Sequence, residues 1–332
     1  MTTVFESLPG IEVPVGAIGA SLARLWEGSP VGDGAGQQRA PSEFRASQMN
    51  LILHLGLPTQ PADGVEQFNA ALRFTQRYPA RIIVLCPRPE GGADLAMRAK
   101  IYSECFIGQS RSEMSCIEAV ALTYPQEDRV FLEDQVSIIV EADLPIYYWV
   151  HRMSQVHKIN TYEWLLRNSR RFLLDTAVST PEAATYPWPR PDGFRDLARA
   201  RLLPVRQSIG QFLSAFAPDR IARGLKSVML VGQAGFSAEG RVLLDWTRER
   251  LAACGAAGPA APAYATRVAA PGATLSLEMT FTYADRRYFH WCAEFARGGA
   301  AFDADLGGGR QTLSTTAGLL PPEAALGEAI FY

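Results

Sequence analysis

Apolar positions along the chain follow two patterns, compact runs and helical spacing. Asn50–Leu55 (NLILHL), Arg81–Leu85 (RIIVL), Leu144–Val150 (LPIYYWV) and Leu225–Val231 (LKSVMLV) are compact runs, as expected of buried strands. Helical spacing places Val15, Ile18, Leu22, Leu25 and Trp26 on one short amphipathic helix within residues 12–27. The same period predicts helices over Val65–Gln76, Arg129–Glu141, Phe194–Phe216 with a break at Pro204, Ser237–Ala253 and Pro321–Phe331. Ser237 stands where an N-cap belongs. Strand, helix and strand between residues 50 and 85 make a crossover unit, so those two strands should be parallel. Lys100–Ile107 and Cys116–Thr123 alternate apolar and polar residues, which predicts an antiparallel hairpin. Tyr264–Ala269, Thr274–Tyr283 and Tyr288–Ala296 read as late strands, the last two joined through the turn Ala284–Arg287.

Loop-forming residues divide this pattern. Gly28–Pro41 is rich in Gly, Ser, Pro and Gln and reads as a mobile surface loop. Thr180–Asp192 (TPEAATYPWPRPD) carries prolines that forbid continuous helix or central strand. The expected organisation is an N-terminal helix and loop over 1–40, a mixed-sheet domain over 41–180 and a second domain over 190–332 with antiparallel strands near its end. The fold class is α/β (α+β), two domains, each a mixed β-sheet packed with helices. A chain of 332 residues is long enough for two cores.

Charge narrows the function classes. The net charge of −2 argues against nucleic-acid binding, which needs a clustered basic surface. Arginine supplies nearly all positive charge, since lysine occurs only at Lys100, Lys158 and Lys226. Arginine could serve carboxylate or phosphate recognition, but the many alanines favour genomic composition as the source of the bias. The stretch Val136–Val150 is interrupted by Glu141, Asp143 and Pro145 and is too short to span a membrane. The start, MTTVFESLPG, lacks the basic and apolar segments of a secretory signal. Cys86, Cys105, Cys116, Cys254 and Cys292 form no CxxC pair, so reduced thiols in the cytoplasm are expected, with neither a disulfide framework nor a zinc site.

Catalytic patterns are weak. Gly232, Gly235 and Ser237 lie on a strand-to-helix turn whose amides could hold an anion, yet the spacing is neither that of a dinucleotide loop nor that of a P-loop. An ordinary tight strand-to-helix turn is the better reading. Gly32–Gly36 is glycine-rich with no strand before it. His54 and His290 fall within strands, as packed histidines do, and the spacing of His151 and His157 suits no metal pair. No G-x-S-x-G elbow is present. Asp303 and Asp305 alternate near a turn, as solvated carboxylates do. Tyr147, Tyr148, Trp149, His151, Met153, Tyr162 and Trp164 concentrate side chains common at interface centres, or else complete a strand's core. Arg167, Arg170 and Arg171, followed by Asp175, could meet a partner or pair internally.

Five segments occur together in a telling order: Arg45–Leu53, Tyr78–Leu85, Ala142–Trp149, Arg170–Asp175 and Asp196–Arg206. Together they resemble the glucose-6-phosphate dehydrogenase assembly protein family, OpcA, from about residue 15 to about residue 255. The resemblance implies a non-catalytic protein, no enzyme itself and without cofactor. It would bind glucose-6-phosphate dehydrogenase and promote its active oligomer at the head of the oxidative pentose phosphate pathway. Tyr148, Trp149, Arg170, Arg171, Arg201 and Arg206 are then the candidate contact or contact-supporting residues, while Arg81 could anchor its strand internally. This chain departs from the family at Tyr78 and Ala80, where His and Ser are usual, and at Arg199 and Val205, where tryptophans are. The alternative is a sugar-phosphate or nucleotide-binding enzyme with its anion site at 232–237.

Overall fold

The structure, a computed structural model, describes residues 2–27, 31–32, 38–39, 47–91, 96–106, 115–258 and 261–332. Residues 33–36 of the glycine-rich segment and most of the expected loop 28–41 lie outside them, as do Arg45 and Ala46 of the first family-like segment. The chain divides into two units, Met1–Asp196 with Leu326–Tyr332, and Leu197–Ala325. It is an α/β protein with two mixed sheets of eight and six strands.

In the first unit, α1 (Val4–Ser7), β1 (Ile11–Val13) and α2 (Ile18–Glu27) are followed by a two-residue ladder of β2 (Val31–Gly32) and β3 (Gln38–Arg39). Next come β4 (Met49–Leu55), α3 (Pro61–Arg77), β5 (Ala80–Arg88), β6 (Arg98–Phe106), β7 (Ser115–Pro125), α4 (Arg129–Ile139) and β8 (Ile146–His151). The short helices α5 (Val156–Ile159) and α6 (Glu163–Asn168) lead into β9 (Ser169–Leu174) and β10 (Phe194–Asp196). The sheet order is β1-β6-β7-β5-β4-β8-β9-β10. The run from β7 to β10 is parallel, and β6 and β1 extend it antiparallel at one edge.

Both faces of β4 are buried, which is why its sequence is an unbroken apolar run. Ile52, Ile83, Val120, Tyr148 and Phe172 share one core with α2, α4, α5 and α6. Leu51, Ile82 and Trp149 face the other way and are equally buried, with α3 against β4 and β5.

In the second unit, α7 (Leu197–Arg201), α8 (Leu203–Leu213) and α9 (Pro218–Ala222) precede β11 (Leu225–Gly232) and α10 (Ser237–Ala253). The strands β12 (Ala263–Val268), β13 (Leu277–Tyr283), β14 (Tyr288–Glu294), β15 (Gly299–Asp305) and β16 (Gln311–Thr316) follow, then α11 (Pro322–Phe331). The order is β12-β11-β13-β14-β15-β16, with only β11 and β12 parallel. Burial alternates along β13 and β14, so one face packs on α7, α8 and α10 and the other stays polar.

Three expectations need correction. The helix expected from Phe194 starts later: Phe194–Asp196 pair in parallel with β9, while the expected break holds, Pro204 lying in the first turn of α8 where its missing N–H costs nothing. The boundary between units falls at Asp196, after the proline-rich segment, and the chain's last residues return to the first unit. Cys105 and Cys116 are not reduced thiols but a cross-strand disulfide between directly opposed residues of β6 and β7. Cys86, Cys254 and Cys292 are free. Among the described residues, no helix is long and apolar enough to cross a membrane.

Candidate functional site

Numbered in chain order, the six parallel strands β4, β5, β7, β8, β9 and β10 lie in the sheet as third, second, first, fourth, fifth and sixth. This is the strand order of dinucleotide-binding α/β folds, whose ligands sit beyond the carboxyl ends of the strands where the order reverses. Here that switch point lies between β4 and β8, at Gly56 and Arg152.

The crevice is closed at that point. The Gly56 amide donates to the His151 carbonyl at 2.8 Å. A β-carbon on Gly56 would lie 2.1 Å from the Arg152 carbonyl oxygen, so only glycine allows the two loops to touch. Asp63, in the first turn of α3, receives hydrogen bonds from Arg152 Nε and from His151 Nε2, the latter at 3.0 Å. A negative side chain thus occupies the helix start where a dinucleotide fold would hold phosphate. Burial works to raise the Asp63 pKa, but the bonds from His151 and Arg152 outweigh it and hold the carboxyl below its usual range. Burial lowers His151, against the pull of Asp63. With Nε2 donating to Asp63, the buried Nδ1 of His151 is an acceptor without a partner.

Beside this closure is a pocket of about 60 Å³ whose lining includes His54, Gln126, Ser154, Gln155, Lys158 and Tyr162, all at or beyond strand carboxyl ends. His54 bridges Tyr148 through Nδ1 at 2.6 Å and Tyr124 through Nε2 at 3.0 Å, and Tyr124 reaches the Tyr162 hydroxyl at 2.8 Å. Burial drives the His54 pKa down to about 3 and raises those of Tyr124 and Tyr148. A neutral imidazole between hydroxyls locks the strands together and leaves Lys158 as the pocket's cation, within 3.4 Å of Gln126 and Glu90. Among the described residues, no group of three or more His, Cys, Asp or Glu could hold a metal ion.

The residues singled out from the sequence do not form one site. Tyr148 and Trp149 are corrected from contact candidates to core residues: they point to opposite faces of β8 and are 0% and 2% exposed. Arg170 is exposed on β9, whereas Arg171 reaches back to the Ala329 carbonyl at 2.8 Å. Arg201 pairs at 2.6 Å with Glu239, buried in the first turn of α10, and Arg206 is half-buried on α8.

At the 232–237 turn, the amides of Gln233, Phe236 and Ser237 donate to carbonyls. A β-carbon on Gly232 would meet Leu277 of the adjacent strand, and one on Gly240 would meet Leu230, each at 2.8 Å, so Gly232 makes room within the sheet and Gly240 serves helix-to-sheet packing. Gly235 faces open space, and Ser237 opens α10 as its first residue without capping it.

Three of the family-like segments converge at the opposite end of the parallel strands. Asn50 Nδ2 donates to the Glu141 and Leu144 carbonyls at 3.0 and 3.2 Å, and its Oδ1 accepts from the Glu141 amide at 2.9 Å. Arg81 pairs with Glu118 and Glu141, each at 2.7 Å, and caps the Ile139 carbonyl at the end of α4. Arg81 is therefore an internal anchor. Asp303 is no free carboxylate either, since it binds Tyr288 and Arg310.

The Asp63–His151–Arg152 cluster escaped sequence reading because nearly ninety positions separate its members. The signal available was an acidic residue in the first turn of the crossover helix together with a histidine ending the strand Leu144–Val150.

No family model and no curated protein matches the chain. Solved structures similar to it include dihydrodipicolinate reductase from Paenisporosarcina sp. TG-14 with dipicolinate bound. It is 12% identical with a TM-score of 0.36, covering 85% of this chain and 93% of that one. Another is the aldose-aldose oxidoreductase from Caulobacter crescentus complexed with glycerol, 11% identical with a TM-score of 0.38, covering 85% and 88%. The expectation that the protein is no enzyme is withdrawn; the two similar solved structures are a reductase and an oxidoreductase.

Proposed function

We propose that this protein binds glucose-6-phosphate dehydrogenase in the cytoplasm and favours its active oligomer. The observation that carries the reading is the ordered set of family-like segments, three of which meet in one clamp, where Asn50 binds the Leu144 carbonyl and both Asn50 and Arg81 bind Glu141. The closed switch point agrees with it, since Gly56 and Asp63 fill the position a dinucleotide would need. Such an effector must bind the active state better than the inactive one, and ~1–3 kcal/mol of difference shifts the equilibrium roughly 5–150-fold. Arg170 is the exposed cation of the first unit offered to the partner, with Arg171 beside it on β9; Arg201 and Arg206 are candidates of the second unit. Titrating the protein into its cognate dehydrogenase should raise activity to a plateau. Unchanged activity at micromolar concentrations of both would sink the proposal.

A second reading, a sugar-phosphate or nucleotide-binding enzyme, is favoured by the strand order and by the pocket around Lys158 at the carboxyl ends of the strands. It supplants the 232–237 turn as anion site, because the first turn of α10 already holds the Glu239 carboxylate. Thermal unfolding with glucose 6-phosphate, 6-phosphogluconate and NADP separates the readings. A ligand at a hundred times its dissociation constant adds about 2.7 kcal/mol, and silence across the panel would remove this reading.

A further inference from the structure

A β-sheet ends in a row of unpaired backbone N–H and C=O groups, and natural proteins protect such edges with short strands, charges or prolines. The two large sheets end at β1, β10, β12 and β16. Of these, β1 and β10 are only three residues long, and β12 carries Arg267 and directly follows Pro262. The last edge has no such protection. The six residues of β16, Gln311–Thr316 (QTLSTT), include neither charge nor proline, and all but Thr315 are exposed.

The register shows which backbone groups are free. Thr316 stands opposite Gly299 and Leu313 opposite Phe302. One step further along this ladder, the Ala317 amide donates to the Gly298 carbonyl at 3.0 Å. Hydrogen-bonded pairs alternate in an antiparallel ladder, so Gln311, Leu313 and Thr315 turn their N–H and C=O groups towards β15. Thr312, Ser314 and Thr316 turn theirs outward, where no strand pairs with them among the described residues. The apolar core reaches the same edge. Phe212 of α8 is half-buried and stacks at 4.5 Å on Phe302, and Leu313, beside Phe302, is 48% exposed.

We infer that β16 pairs antiparallel with β16 of a second copy of this chain, about a two-fold axis at Leu313, joining two six-stranded sheets into one. The strand is complementary to itself. An axis at Leu313 sets Thr312 against the partner subunit's Ser314, so outward-facing groups meet outward-facing groups. It also brings the two Leu313 side chains together in a non-hydrogen-bonded pair, where opposed side chains approach closest. The absence of charge along Gln311–Thr316 lets the two copies meet without repulsion. This pairing does not rest on the proposed dehydrogenase partner.

Sedimentation equilibrium of the full chain tests it. The average mass should rise from 36.3 kDa towards twice that value between about 1 and about 100 μM protein. Ser314→Pro removes an outward N–H that the sheet of its own chain does not use. It should weaken the dimer at least about tenfold while the far-ultraviolet circular dichroism stays unchanged. Leu313→Lys opposes two ammonium groups across the axis and should weaken it by a similar factor. An equimolar mixture of Leu313→Lys and Leu313→Glu proteins should recover the dimer, because opposite charges then face each other. The inference is overturned if the wild type keeps the mass of one chain across that range, if folded Leu313→Lys protein dimerises as the wild type does, or if the mixture stays monomeric. Should Ser314→Pro fail to fold, the lysine variant and the mixture decide the matter.

Discussion

Mild acid should destabilise this protein through a buried histidine, His54. Its imidazole accepts or donates to two tyrosine hydroxyls inside the first core, and burial holds its folded-state pKa at about 3. In the unfolded chain the value returns to about 6.5. The unfolded state therefore binds more protons throughout that interval, and stability falls as pH drops from about 6.5 towards 3. Integrating the difference gives a loss of ~1.2 kcal/mol between about pH 7 and pH 5.5, and ~1.9 kcal/mol by about pH 5. Glu133, whose carboxyl is raised by burial, opposes the loss, whereas His151, also lowered by burial, acts in the same direction as His54. Urea unfolding of wild type and of His54→Gln, followed by circular dichroism across these pH values, separates the two histidines. Glutamine does not titrate, so the variant should be less stable at pH 7 but should lose ~1.2 kcal/mol less on acidification to pH 5.5. Parallel pH curves for the two proteins would refute the claim that His54 is buried neutral.

Two further expectations concern the clamps at either end of the parallel strands. Arg81→Met strips the guanidinium from Glu118, whose side chain is 2% exposed, and should cost ~3–5 kcal/mol; Arg81→Met with Glu118→Gln should recover part of it. Urea midpoints of the singles and the double check this, and a loss under ~1 kcal/mol for Arg81→Met would contradict it. Gly56→Ala drives a methyl into the Arg152 carbonyl and should cost at least ~1–3 kcal/mol, with faster hydrogen exchange at residue 56. An unchanged unfolding midpoint would show that the loops at the switch point are not in contact.

The sequence revealed the fold wherever burial was two-sided and local. The runs at Asn50–Leu55 and Arg81–Leu85 identify themselves because parallel strands covered on both faces cannot alternate. By contrast, β10 is three residues long and owes its conformation to pairing with β9, which no local pattern encodes. Tyr148 and Trp149 illustrate a second limit. An aromatic run has the same composition whether it faces a partner or fills a core, and only the helices on both faces decide it. His54 was legible as a packed histidine from its place within an apolar strand. The Asp63–His151 pair was not, since it joins segments whose proximity arises from strand order. The disulfide was missed for a different reason: cysteine spacing carries no register, and Cys105 and Cys116 face each other only once β6 and β7 pair.

Binding to a dehydrogenase is the central claim, and sedimentation of the cognate glucose-6-phosphate dehydrogenase with and without this protein tests it most directly. The account expects a heavier species containing both chains, and a shift of the dehydrogenase from smaller to larger oligomers as the protein is added. Two boundaries that sediment independently, with the dehydrogenase distribution unmoved, would contradict it.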